Sequence, residues 1–68
     1  MNKNLKKDIL YLSQNFSIMK SLINILENIV SDNCNIPETD IMNLCTQIQI
    51  LSTRCSKNIE NIQTELMI

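Results

Sequence analysis

Residues 5–30 read LKKDILYLSQNFSIMKSLINILENIV, and the spacing within that stretch decides the fold. Large apolar side chains recur at Leu5, Ile9, Leu12, Phe16, Met19, Ile23, Leu26 and Val30, in alternating steps of four and three. An α-helix turns once in about 3.6 residues, so these steps keep returning to one face. Sustained alternation of this kind marks a helix that lies lengthwise along another helix. Downstream, Ile41, Leu44, Ile48, Leu51, Cys55, Ile59, Ile62 and Leu66 repeat the pattern over an equal length. After Cys55 a step of four stands where three is due, which predicts a local stutter in the second helix.

The connection between the stripes is Ser31-Asp32-Asn33-Cys34-Asn35-Ile36-Pro37-Glu38. Asn33 suits the left-handed position that ends a helix. Asn35 and Glu38 have the spacing of a capping box, with Pro37 tolerated in the first helical turn. A short polar link between matched stripes implies antiparallel neighbours. The sequence therefore predicts an all-α fold: a two-helix antiparallel hairpin of coiled-coil type, one unit over 1–68. The helices are expected over 4–31 and 36–66, with the turn over 32–35. Folding one stripe on the other sets Val30 against Ile41, Leu26 against Leu44 and Met19 against Leu51. The aromatic Phe16 falls opposite the small Cys55, a complementary pairing of volumes.

Composition narrows the function. The 68 residues contain no Gly, no Ala, no His and no Trp. Phosphate-cradling loops need Gly, and the usual catalytic base and metal ligand is His. Cys34, Cys45 and Cys55 lack the close pairing of a zinc site, so neither a metal nor another cofactor is expected. A two-helix hairpin has no cleft in which carboxylates converge, so no enzyme and no small-molecule substrate are expected. The formal net charge is −1, and the Lys3, Lys6, Lys7 cluster carries no interleaved aromatics. Nucleic acid is accordingly not an expected partner. Apolar runs are too short to span a bilayer, and the polar face is rich in Ser and Asn instead of basic residues, so no membrane contact is expected. Free cysteines without an export segment point to the cytoplasm.

Helix 1 carries more apolar surface than one partner helix can use. Beside its seam runs a second strip, Ile18, Leu22, Ile25 and Ile29, while the second helix offers only Met42, Cys45 and Ile50 beside its own. Leaving four large aliphatics in water forgoes about 1.5–3 kcal/mol each, and a core this small supplies only about 3–5 kcal/mol. These four residues are therefore the expected partner-binding strip. Its occupant is another protein's helix, or a second copy that completes a homodimeric four-helix bundle. Acidic Glu27, Asp32, Glu38 and Asp40 gather near the turn, and Lys3, Lys6, Lys7, Arg54 and Lys57 lie toward the open end, which favours antiparallel pairing of two hairpins.

Two heptad stripes, a polar turn from Asn33 to Pro37 and no globular remainder: in length and layout the whole chain resembles the small helical-hairpin cochaperones of type III secretion systems. The resemblance implies a cytoplasmic adaptor that pairs with a repeat-like chaperone and keeps a needle subunit unpolymerised. Two other readings stay open at this stage. One is a self-associating scaffold, and the other is a small phage- or island-encoded inhibitor of a host protein.

Overall fold

A computed structural model describes residues 3–32 and 35–67. Two helices account for nearly all of them, α1 over Lys3–Ser31 and α2 over Glu38–Met67, and the two lie against each other as a hairpin. At about 1.5 Å per residue each helix is about 45 Å long. The molecule measures 50 × 16 × 13 Å, so it is two helices wide and one helix thick. Its radius of gyration is 15.5 Å, where a compact chain of this length has about 11 Å.

Local chemistry sets the helix ends. The Asp32 N–H donates to the Asn28 carbonyl at 2.9 Å and closes the last turn of α1. At the start of α2 the Pro37 carbonyl accepts from the Asp40 N–H at 3.0 Å and the Ile41 N–H at 3.3 Å. Pro37 thus precedes the first helical residue instead of lying inside the first turn, and α2 starts at Glu38, not at 36. The expected Asn35–Glu38 capping box gives way to that carbonyl, because Glu38 now opens the helix. Glu38 and Asp40 still place negative charge at the positive end of the helix dipole. The cap expected from Asn33 and the loop position expected for Cys34 lie outside the described residues.

The seam is rotated from the one the apolar spacing predicts. On α1 the more covered residues are Leu5, Asp8, Leu12, Asn15, Met19, Leu22, Leu26 and Ile29. Ile9, Phe16, Ile23 and Val30 are exposed, Phe16 by 54% and Val30 by 73%. Leu5, Leu12, Met19 and Leu26 keep their expected places, but each alternate position moves back by one residue. On α2 the covered series is Ile41, Leu44, Ile48, Leu51, Cys55, Asn58, Ile62 and Glu65. The steps of three and four never break, so the stutter after Cys55 is absent from the seam, and Ile59 and Leu66 face outward. Leu51 and Cys55, at 6% and 7% exposure, are the buried centre. Phe16, expected in the seam opposite Cys55, lies at its edge instead, and Asn15 takes the seam position.

Matched polarity accounts for this rotation. The Asn15 Nδ2 donates to the Asn58 Oδ1 at 3.0 Å across the seam. One heptad further toward the open end, Asp8 meets Glu65. A continuous seven-residue repeat is what a left-handed helix pair needs, and it carries two polar residues of each helix into contact with two of the other. On the outer faces, Ser21, Thr46, Thr53 and Thr64 each donate to the carbonyl four residues earlier, so these hydroxyls are satisfied within their own helix.

The Asn pair yields a test of the register. Asn58→Leu strands the Asn15 amide and is expected to destabilise the hairpin by about 1 kcal/mol. The double change Asn15→Leu with Asn58→Leu removes both polar groups and is expected to recover most of that loss. Urea titrations followed by helical circular dichroism check it; independent, additive losses would show that the two amides are not partners.

Candidate functional site

The heptad gives the hairpin two unlike flanks. Within the seam, Asp8, Asn15, Leu22 and Ile29 lean to one side, and Leu5, Leu12, Met19 and Leu26 lean to the other. Asn4, Asp8 and Tyr11 share a shallow groove with Asn61 and Glu65, which fixes the first side. That side is mixed in character. Its polar seam residues lie toward the open end, the Lys7 ammonium sits 5.6 Å from the centre of the Tyr11 ring, and Gln47, Arg54 and Asn61 border it from α2.

The opposite flank is different. Next to the apolar seam residues it presents Ile9, Phe16, Ile23 and Val30 from α1, and Cys45, Ser52, Ile59 and Leu66 from α2. All eight are exposed and none is charged. Ile41, Ile48, Cys55 and Ile62 form the floor from α2, so the flank is apolar along most of its length; the Ser52 hydroxyl interrupts it, and Glu38, seven residues before Cys45, sets a carboxylate at its turn end. Its turn end opens into a shallow hollow lined by Ile23, Leu26 and Val30, with Glu27 and Ser31 at its edge.

The four residues expected to bind a partner are split by the rotation of the seam. Leu22 and Ile29 are half-buried in the hairpin itself, on the side expected to stay uncovered. α2 does reach them, because the seam runs through their edge of the apolar arc. Ile18 and Ile25 remain exposed, by 51% and 48%, on the mixed flank. The four therefore do not form one open strip. The larger uncovered surface consists of residues whose spacing had assigned them to the core. The signal that could have found it was the polar pairs. Asp8 and Asn15 are seven apart, as are Asn58 and Glu65, and each pair lies in the open half of its helix.

Among the described residues no three His, Cys, Asp or Glu side chains gather closely enough to hold a metal ion. Among the same residues, no helix is long and apolar enough to cross a membrane. Cys45 is exposed on the apolar flank and Cys55 is buried, and both are free thiols.

Glu65 has distinctive electrostatics. Its Oε2 is shut off from solvent and accepts no hydrogen bond. Loss of hydration, the charge of Asp8 and a hydrogen bond shared with Asp8 all raise its pKa above the ordinary 4.5. Two ionised carboxylates are both acceptors, so their approach favours the protonated form of Glu65.

Because folding strengthens proton binding at Glu65, its contribution to stability is fully present below pH 4.5 and is lost as pH rises through the higher folded value. Glu65→Gln supplies an amide donor to Asp8 at every pH. It is expected to raise the melting temperature at neutral pH and to remove that part of the pH dependence. Thermal melts at a series of pH values check this, and an unchanged profile in the variant would overturn this role of Glu65.

Comparison with protein-family models, with curated protein sequences and with solved structures finds no match.

Proposed function

We propose that this chain is a non-enzymatic protein–protein interaction module that completes its core on a partner through the flank bearing Ile9, Phe16, Ile23, Val30, Ile59 and Leu66. The observation that carries the reading is the continuity of that flank. A face that is apolar from Val30 and Cys45 to Ile9 and Leu66, with carboxylates only at its turn end, is what a groove for another helix looks like. The scale of the exposure supports it. The hairpin exposes 5503 Å², where a compact 7.9 kDa monomer exposes about 4,400 Å².

The role is that of a small cytoplasmic adaptor whose binding energy comes from burying apolar surface. A narrower form, a cochaperone of the type III secretion kind, rests on the two-helix layout alone. The mixed flank with Ile18 and Ile25 is the second-best surface, since Arg54 and Gln47 border it and break its apolar character.

Affinity capture from the native cell, with tagged and untagged copies expressed together, tests the reading. The wild-type chain is expected to retain a protein, either the untagged copy or another, that washes away when Phe16→Asp and Ile23→Asp are introduced. Ile18→Asp with Ile25→Asp is expected to retain it. If the wild type holds nothing, or the two variants behave in the reverse sense, the apolar flank is not the binding surface.

A further inference from the structure

We infer that the partner on the apolar flank is a second copy of this chain, joined antiparallel so that the turn of each hairpin lies beside the open end of the other. The inference rests on the interaction reading above and names its occupant. Three observations carry it.

The first is area. The hairpin's 5503 Å² exceeds the compact-monomer value by about 1,100 Å². A stable interface of ordinary size removes about 800 Å² from each partner. Pairing two flanks therefore disposes of a surplus of the right size without any other component.

The second is charge. No Lys or Arg occurs between Lys20 and Arg54, so the turn half of the hairpin carries Glu27, Asp32, Glu38 and Asp40 uncompensated. Lys3, Lys6, Lys7, Arg54 and Lys57 lie in the open half against Asp8, Glu60 and Glu65, and Lys20 lies near the middle. One copy's acidic half matches the other's basic half only when the hairpins run antiparallel; the parallel arrangement sets four carboxylates beside four. A two-fold axis across the middle of the flank brings Lys20 near its own copy, at a solvent edge where screening leaves such a pair little weight.

The third is shape. The turn half of the flank carries the smaller set, Val30, Ile23, Cys45 and Ser52. The open half carries the larger, Phe16, Ile9, Ile59 and Leu66. Antiparallel pairing lays large against small at both ends, as even packing of a bundle core requires. Parallel pairing would overfill one end and leave the other slack.

Light scattering over a concentration series gives the mass directly. The expected result is twice 7.9 kDa, with a melting temperature that rises with protein concentration. Phe16→Asp with Ile23→Asp is expected to halve the mass. The milder Phe16→Ser is read alongside it, with helicity measured in the same samples, so that dissociation is distinguished from unfolding. Ile18→Asp with Ile25→Asp should leave the dimer intact.

Orientation is read by a short bismaleimide on the Leu66→Cys, Cys34→Ser variant. Within one helix, positions 45 and 66 are about 30 Å apart, so a link between them joins two copies and supports the antiparallel arrangement. A dominant Cys45-to-Cys45 link overturns that arrangement. A helical wild type that stays monomeric at every concentration overturns self-pairing. If that monomer still retains a different protein through Phe16 and Ile23, the interaction reading survives; if it retains nothing, both fall.

Discussion

Two antiparallel helices share one seam, and a seam can cover only a narrow stripe on each of them. Everything else about this molecule follows from where that stripe runs. It takes in Leu5, Leu12, Met19 and Leu26 on α1 and Ile41, Ile48, Cys55 and Ile62 on α2 as its apolar side, and a half-polar series as its other side. Among the described residues, only Leu51 and Cys55 become buried. A core of two residues is a consequence of a hairpin one helix thick, and no choice of side chains within a single hairpin would enlarge it much.

The helices, their antiparallel pairing and half of the seam positions on α1 were legible in the spacing of apolar residues. So was Cys55 as a core residue. The rotation of the seam was not, for a definite reason. Position for position, Ile9, Phe16, Ile23 and Val30 are more apolar than Asp8, Asn15, Leu22 and Ile29, and a reading of one helix at a time prefers the first set. The second set wins because seam composition belongs to the pair of helices. Asn15 has Asn58 to bond, and the unbroken period on α2 avoids a stutter, with Asp8 and Glu65 brought together on the same side of the seam. Per-residue hydropathy contains no term for a partner on the other strand. The same blindness exchanges covered and uncovered residues: Leu22 and Ile29 are half-buried in the hairpin, and Phe16 and Ile23 are exposed.

The polar pairs also give the open end a different character from the turn end. Near the turn, the seam is aliphatic on both sides, with Leu22, Leu26 and Ile29 against residues such as Leu44 and Ile48. Toward the open end, Asn15–Asn58 and Asp8–Glu65 occupy one side of it. A polar contact in a helix seam stabilises less than the aliphatic contact it replaces, but it penalises every register in which its partner is absent. Shifting α2 by one heptad would set Asn15 opposite Leu51 or Glu65 in place of Asn58 and would take Glu65 from its present neighbours. The open half is thereby held in register by directional bonds, where chain ends would otherwise fray.

That arrangement has a consequence for how the two flanks divide their work. All four polar seam residues lean to the same side, the one bordered by Asn4, Tyr11 and Asn61. Placing them on the other side would have put amides and carboxylates into the floor of the apolar flank. A partner seated there would then have to desolvate them without offering donors in return, at a cost of about 1–3 kcal/mol for each stranded group. With the polar pairs on the mixed side, water reaches the groove that borders them, and the flank of Ile9, Phe16, Ile23 and Val30 keeps a floor that is apolar from end to end. The polar pairs and the apolar flank are therefore two aspects of one choice of seam. The rotation that makes the single hairpin's core look poor is the same rotation that leaves a clean surface for whatever completes it.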